Sequence, residues 1–278
     1  MIKLLTDTST LYTPTDGEKM GITVFPLSVT INNKTYQEFV DINDKAFYDI
    51  IKENHVPTSS QPPIGLVMET YEKYKNDDIV HITMADGLSG TYQSALSAKD
   101  SVDNNEHIHV INSETLCGPH RAMVDSVFQK INEGIDINSL LTYIEKVKET
   151  NISFLIPQDF NFLKRGGRLT PLAATLGGLL KIRPVMTTTP DGCRLEKFTV
   201  GRTLGKAVDA VFAEMKSRGV NEDYIISISH AFVLDEAKEI VEKAKLAFPN
   251  TRIELYELSC AFITQGGPQC IAIQAIKC

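Results

Sequence analysis

The stretch Ile79-Val80-His81-Ile82-Thr83-Met84-Ala85-Asp86-Gly87-Leu88-Ser89-Gly90-Thr91-Tyr92-Gln93-Ser94-Ala95 decides the fold class. Its first five residues form an apolar run that predicts a buried strand, and its last residues have a composition compatible with a helix. The turn between them brings backbone N–H groups and hydroxyls to a helix N-terminus, where a phosphate or a carboxylate binds well. An ordinary βα turn, in which the glycines serve only tight geometry, explains the same residues.

The alternation of strands and helices continues toward the N-terminus and beyond this unit. Residues 2–6 predict a strand that ends in the polar cluster 7–10, and residues 22–31 predict another that leads into an Asn-Asn-Lys turn. Helices with one apolar face are predicted over residues 43–54, 64–74, 119–132 and 137–149. The polar cluster is either a ligand position at the carboxyl end of a strand or a turn with local hydrogen bonds.

The pattern changes from Ile152 onward, where strands become more frequent than helices. Further strands are predicted over 152–156, 182–186, 195–200, 224–230, 251–258 and 271–276, and helices over 203–217 and 234–247. Asp191-Gly192 indicates a hairpin, and residues 162–169 and 261–269 indicate two glycine-rich corners. The chain therefore predicts a two-domain α/β protein. Its N-terminal domain, residues 1–155, has a largely parallel three-layer α/β sheet, and its C-terminal domain, residues 156–278, has a mixed sheet.

Composition and charge exclude several classes of function. The chain has 28 Lys and Arg against 35 Asp and Glu, a net charge of −7, so nucleic acid is not an expected partner. No apolar run approaches the ~20 residues of a membrane span, so stable membrane insertion is not expected. Five scattered cysteines without a Cys-x-x-Cys pair, and a His107-x-His109 pair without a third ligand, support neither a metal site nor disulfides. We expect a cytoplasmic protein.

Hydroxyl groups without an activating base are the main candidates for function. Ser59 and Ser60 lie in a proline-flanked loop, and they either bind an anion or cap the helix that follows. Ser89 does not lie in a Gly-x-Ser-x-Gly elbow, and no histidine can be assigned as its base. Arg165 and Arg168 flank two glycines and form either an anion site or a solvated turn. Groups that bind but do not react predict a receptor for a carboxylate or a phosphate.

Four stretches, in this order, resemble the signatures of the DegV family. They are Ser-Ser-Gln-Pro (59–62), Gly-Leu-Ser-Gly-Thr-Tyr-Gln-Ser-Ala (87–95), Leu-Lys-Arg-Gly-Gly-Arg-Leu (163–169) and Leu-Leu-Lys-Ile-Arg-Pro-Val (179–185). The opening Thr6-Asp7-Thr8-Ser9 and the Gly-Pro corner near residue 267 also lie where that family places them. The resemblance spans essentially the whole chain.

The resemblance implies a bacterial protein that binds a long-chain fatty acid in an enclosed apolar tunnel. It also implies a non-catalytic role and no cofactor other than the bound lipid. The lipid carboxylate would accept hydrogen bonds from Ser59 and Ser89. Ser60, Gly90 and Thr91, which lie beside these two serines in the sequence, complete the expected carboxylate site.

The resemblance also implies a partner protein. Several members of the family resemble the lipid-carrier subunit of bacterial fatty acid kinase, which presents the carboxylate to a separate ATP-using subunit that makes an acyl phosphate. Arg168 and Arg202 lie where family members carry basic residues, and they would support the mouth of the tunnel or the contact with the kinase.

The chain departs from the family pattern at its last corner. The family usually reads Thr-His-Thr-Gly-Pro-Gly, whereas this chain reads Thr-Gln-Gly-Gly-Pro-Gln over residues 264–269. Gln265 thus replaces a histidine near the head group; its amide still donates to a carboxylate but cannot become cationic. Gln269 replaces a glycine, and Ser59 stands where the family usually has Thr. Two alternatives stay open: an α/β enzyme acting on a small phosphorylated or carbonyl substrate, and a lipid-binding protein uncoupled from any kinase.

Overall fold

Strands and helices alternate along most of the chain in the computed structural model, which describes residues 1–53, 55–103, 105–176 and 182–278. The strands are β1 (Ile2–Asp7), β2 (Thr23–Phe25), β3 (Ser28–Ile31), β4 (Lys34–Gln37), β5 (Thr58–Ser60), β6 (Asp78–Thr83), β7 (Ile108–Asn112), β8 (Ile152–Ile156), β9 (Arg183–Thr188), β10 (Leu195–Gly201), β11 (Tyr224–His230), β12 (Arg252–Glu257) and β13 (Ile271–Lys277). The helices are α1 (Pro14–Met20), α2 (Asp44–Lys52), α3 (Ile64–Lys73), α4 (Thr91–Asp100), α5 (Gly118–Asn132), α6 (Ile137–Lys148), α7 (Phe160–Gly166), α8 (Leu204–Ser217), α9 (Leu234–Ala247) and α10 (Cys260–Gly266).

A four-stranded parallel sheet with the order β2-β1-β6-β7 forms the N-terminal part. Successive residues of β1 point to opposite faces, so Leu5 packs with Val67 of α3 on one face. Leu4 packs with Val124 of α5 and Ile144 of α6 on the other face. The predicted three-layer arrangement with a parallel sheet is therefore confirmed.

A six-stranded sheet with the order β10-β9-β8-β13-β11-β12 forms the C-terminal part. Only β11 and β12 pair in parallel and the other pairs are antiparallel, so the predicted mixed sheet is confirmed. Helices α8 and α9 cover one face, where Val208 and Ile240 pack on Phe154 and Ile273. The division after residue 155 stays a prediction; it falls inside β8, all of which pairs within the mixed sheet.

A small antiparallel sheet with the order β4-β3-β5 was not predicted. The expected single strand over 22–31 is wrong, because Pro26 lacks a ladder N–H and separates β2 from β3. The loop expected around Ser59 is instead β5, in which Ser59 pairs with Val29 of β3. The predicted Asn-Asn turn is confirmed, and both asparagines have positive φ, as a tight hairpin requires.

The prediction of two glycine-rich corners without regular structure is also wrong, because each of these stretches contains a short helix. Gly167 (φ 71°) ends α7 and Gly267 (φ 82°) ends α10. Both glycines occupy the position just after the last helical residue, where a residue without Cβ is favoured. In the stretch 179–185, residues 179–181 lie outside the described residues, and β9 begins at Arg183.

The polar cluster at the end of β1 belongs to the core. Asp7 accepts hydrogen bonds from the backbone N–H groups of Ser9 (2.9 Å) and Met84 (3.0 Å). Ser9 Oγ lies 2.7 Å from Nδ1 of His120, and both residues are completely buried. These buried groups hydrogen-bond to one another, so the cluster joins β1, α5 and the residue after β6, and it lines neither of the cavities described below.

Candidate functional site

Two cavities meet beside the turn that connects β6 to α4. A polar cavity of about 210 Å³ lies between this turn, β5 and α10. An apolar cavity of about 100 Å³ lies between the same turn and one face of the mixed sheet. The residues that line both cavities are Met84, Leu88, Arg168, Phe262 and Gln265. The arrangement places a polar cavity directly beside an apolar one.

Ser59 and Gln265 meet in the polar cavity, although 206 residues separate them in the sequence. The Nε2 of Gln265 donates to Ser59 Oγ at 2.9 Å. Because the serine oxygen accepts this bond, its own O–H is free to donate to another group. The Oε1 of Gln265 lies against Gly166, where a Cβ would come within 2.1 Å of it, so the glycine makes room for the amide.

Ser89 lines the same cavity, together with Ser60 and Gly90. Its Oγ lies 2.8 Å from Thr91 Oγ1 and accepts the Thr91 N–H at 3.3 Å. Thr91 itself is buried and is not among the described residues that line the cavity. It therefore orients Ser89 instead of facing the cavity directly. Gly90 accommodates Gln61, whose Oε1 would lie 2.2 Å from a Cβ at that position.

Arg168 lies where the two cavities meet. Its Nε donates to the carbonyl of Leu88 at 3.0 Å, and its guanidinium also donates to the carbonyl of Gly166. Partial burial lowers its pKa from the ordinary value, yet an arginine remains a cation at neutral pH. Among the described residues, no carboxylate lies within ion-pair distance of Arg168. The junction is thus the position at which an anion would find an unpaired positive charge.

Arg202 has a different environment. It is exposed, directly follows β10, and is not among the described residues that line either cavity. Its suggested place at the mouth has no support in this geometry, and a contact with a partner protein stays a prediction.

Glu38 supports the site although nothing in the local sequence singles it out. Its carboxylate is completely buried and accepts hydrogen bonds from Thr8 Oγ1 and from the backbone N–H of Ala261, the latter at 2.8 Å. Ala261 lies in the first turn of α10, so the carboxylate holds the helix that carries Gln265. Burial raises the pKa of Glu38 to about 7.

The turn at Gly87 contacts the hairpin between β9 and β10. Gly87 has a φ of 82°, and a Cβ there would come within 2.7 Å of the Cα of Cys193. Glycine is required on both counts, since other residues avoid this φ and the hairpin backbone leaves no room. The turn that carries Ser89 therefore packs on a hairpin that lies about 100 residues later in the chain.

The apolar cavity is lined by residues that the sequence presents as ordinary core. Its floor includes Leu155 of β8, Met186 of β9 and Ala272 of β13, which are neighbours across adjacent strands. Leu116 and Cys117, which precede α5, also line it. The pattern of alternating apolar residues predicts the strands but does not reveal that one face borders an empty volume.

The residues around Ser89 do not provide an activating base. No histidine or lysine is among the described residues that line the polar cavity. The Ser9–His120 pair is fully buried and lines neither cavity. Across the described ranges, no cluster of His, Cys, Asp and Glu side chains could hold a metal ion. None of the helices there has the length and apolar character needed to cross a bilayer.

Comparison with known proteins gives a consistent result. The family model of the DegV family matches residues 1–278. A DegV domain-containing protein from Halalkalibacterium halodurans is 30% identical over 260 residues, which cover 91% of this chain and 90% of the relative. The crystal structure of DegV, a fatty acid binding protein from Bacillus subtilis, has a TM-score of 0.86 and 28% identity, with 100% of this chain and 99% of that chain covered. A stearic acid-binding protein from Eubacterium ventriosum has a TM-score of 0.88 and 20% identity, with 100% and 98% covered, and shares the fold. The chain therefore belongs to the DegV family.

Proposed function

We propose that this protein binds a long-chain fatty acid, with the acyl chain in the apolar cavity and the carboxylate in the polar one. The observation that carries the proposal is the unpaired cation of Arg168 at the junction of the two cavities. The similar structure from Bacillus subtilis is a fatty acid binding protein, which supports the same ligand class here. Ser59 and Ser89 each supply a hydroxyl group to the polar cavity.

The acyl chain is expected to supply most of the affinity. Each buried methylene contributes roughly 0.8 kcal/mol before the cost of association, so about four of them already match one strong hydrogen bond to the carboxylate. A hydrogen bond to a carboxylate adds about 1.5–3 kcal/mol. The hydroxyls and Arg168 therefore fix the orientation of the ligand, and the apolar cavity selects its chain.

The proposed role is non-catalytic, because the hydroxyls of the polar cavity have no histidine or lysine beside them among the described residues. Presentation of the bound lipid to a separate ATP-dependent kinase, which the family resemblance implies, stays a prediction. Denaturing extraction followed by mass spectrometry tests the central proposal directly. Protein purified from a bacterial host is expected to release fatty acid in near-stoichiometric amount, and lipid-free protein that also fails to bind added stearate would contradict the proposal.

Replacing either serine with alanine is expected to weaken fatty-acid binding by about 10- to 100-fold, because each variant loses one hydrogen bond to the carboxylate, worth about 1.5–3 kcal/mol. Ser59→Ala and Ser89→Ala are compared in a titration with a fluorescent fatty acid, and thermal unfolding checks that the fold is kept. Ser97→Ala, an exposed position on α4, is the matched control. Unchanged affinity in either variant would remove that serine from the head-group site.

Replacing Arg168 with methionine is expected to lower affinity by about 10- to 100-fold, since a charge-assisted hydrogen bond at a partly buried position contributes about 1.5–3 kcal/mol. Methionine keeps an unbranched apolar stem of similar length, so the packing around Leu88 is largely preserved. Arg165→Met is the control, because Arg165 is exposed and lies outside both cavity linings among the described residues. Equal affinity of the two variants would place the carboxylate elsewhere.

A further inference from the structure

The floor of the apolar cavity is not uniformly apolar. Leu155, which lies close to Gly266 at the end of α10, pairs with Ala272 across β8 and β13. Two residues further along the same strands, Ser153 pairs with Gln274, and both of these polar residues line the cavity. The spacing of two places all four side chains on one face of the sheet. Along the two strands, in the direction away from the polar cavity, the apolar pair Leu155–Ala272 is therefore followed by the polar pair Ser153–Gln274.

Gln274 has an acceptor without a partner. The residue is only 2% exposed, and its Nε2 donates to the Leu116 carbonyl at 3.1 Å and to Ser153 Oγ at 2.9 Å. A backbone carbonyl can only accept, so the contact with Leu116 fixes which end of the amide is the nitrogen. The Oε1 is then left buried without a hydrogen-bond partner among the described residues.

Ser153 does not satisfy this acceptor. Its Oγ accepts from Gln274 Nε2 and donates its one proton to Asn151 Oδ1 at 3.2 Å. A buried amide oxygen that makes no hydrogen bond destabilises the protein, and such an atom beside a ligand cavity is satisfied when the ligand brings a donor. A plain hydrocarbon chain has no donor to offer.

The unpartnered oxygen lies far from the head-group chamber. Cys270 contacts Gly266 at the chamber end of the cavity, and Gln274 follows four residues later on the same strand side. Four residues of a strand span roughly 13 Å. The acceptor is therefore positioned to meet the middle or distal part of an acyl chain and not its carboxylate.

We propose that the preferred ligand is a fatty acid with a hydroxyl group on its chain, whose O–H donates to Oε1 of Gln274. This inference rests on the proposed function and names the ligand class within it. Gln274 is then the residue that determines specificity. A keto group at the same carbon lacks a proton to donate, so it gains nothing from this acceptor.

The test is a set of titrations with stearate and with hydroxystearates that differ in hydroxyl position along the chain. At least one hydroxystearate is expected to bind at least 10-fold more tightly than stearate, and the keto acid with the same substitution position no more tightly than stearate. Gln274→Met is expected to abolish the preference, so that the hydroxystearate binds no more tightly than stearate to the same variant. Gln129→Met, at an exposed position on α5, is the matched control and is expected to keep the preference.

The outcomes separate the two levels of the proposal. If stearate binds and no hydroxystearate binds more tightly, the inference is wrong and the fatty-acid proposal stands. If the preference is present but persists in Gln274→Met, Gln274 is not its cause and the inference is equally wrong. If neither stearate nor any hydroxystearate binds to the wild-type protein, both proposals fail. The ligand series on the wild-type protein can overturn the inference even if the variant does not fold.

Discussion

Ala272→Phe is expected to lower the affinity for long-chain fatty acids by about 1000-fold while leaving the protein folded. Ala272 lies on β13 in the floor of the apolar cavity, and a phenyl ring there occupies the volume that the acyl chain needs. Exclusion of about five methylenes from the cavity removes roughly 4 kcal/mol, which corresponds to about three orders of magnitude in the dissociation constant. The ring fills an existing cavity, so large overpacking strain is not expected.

Lipid content after purification and the affinity for added stearate measure this effect. Ala213→Phe is the matched control, since Ala213 is exposed on α8, which covers the opposite face of the mixed sheet. Thermal unfolding of both variants is expected to stay within a few degrees of the wild-type protein. Retention of bound lipid by a folded Ala272→Phe variant would show that the acyl chain does not use this cavity.

Glu38→Gln is expected to change how the stability of the protein depends on pH. The carboxyl of Glu38 has a pKa of about 7 in the folded protein, against an ordinary value of 4.5, because burial disfavours its charge. Between these values the folded state holds a proton that the unfolded state has lost, so the free energy of unfolding falls as pH rises from about 4.5 to about 7. Across this pH range Glu38 lowers the free energy of unfolding by roughly 3 kcal/mol. Glutamine does not titrate, so this contribution to the pH dependence is absent in the variant.

Denaturant unfolding at pH 5, 6, 7 and 8 measures this difference. Burial lowers the pKa of His81 to about 3 and also lowers that of His120, so both histidines give the opposite slope below pH 6.5. Burial raises the pKa of Asp44 to about 6, which adds to the slope from Glu38. Subtracting the pH profile of Glu38→Gln from that of the wild-type protein isolates the contribution of Glu38.

Glu69→Gln, at an exposed position on α3, is the control. A pH profile of Glu38→Gln that is parallel to that of the wild type would contradict the prediction.

The parallel sheet was predictable from sequence because its signals are local. The apolar run that leads into Gly87 and the amphipathic helices on either side follow from periodicity alone. The small sheet was not predictable in this way. The segment Thr58-Ser59-Ser60 is polar and flanked by prolines, which favours a loop, and only its pairing with β3, about 30 residues earlier in the chain, makes it a strand.

The residues of the candidate site also differ in whether a local sequence signal could reveal them. The sequence could identify Ser59 and Ser89 as hydroxyls without a base, with Gln265 as a possible companion, but only the family resemblance assigned them to one carboxylate. Glu38 and Gln274 were missed, because each is a single polar residue whose partners lie far away in the sequence, such as Ala261 for Glu38. Residue types alone do not indicate which polar groups will be buried or which core residues will border a cavity.

The contact between Gly87 and the β9–β10 hairpin has a practical consequence for labelling. Cys193 lies at this contact and is partly accessible, whereas Cys117, Cys260 and Cys270 are buried and burial raises their thiol pKa values. Each of these three thiols is almost entirely protonated at neutral pH, so it reacts slowly with alkylating reagents. Once the exposed Cys278 is replaced by serine, a solvent-sensitive dye can be attached at Cys193, next to the turn that carries Ser89. Its fluorescence would then follow the arrival and departure of unlabelled lipid in real time.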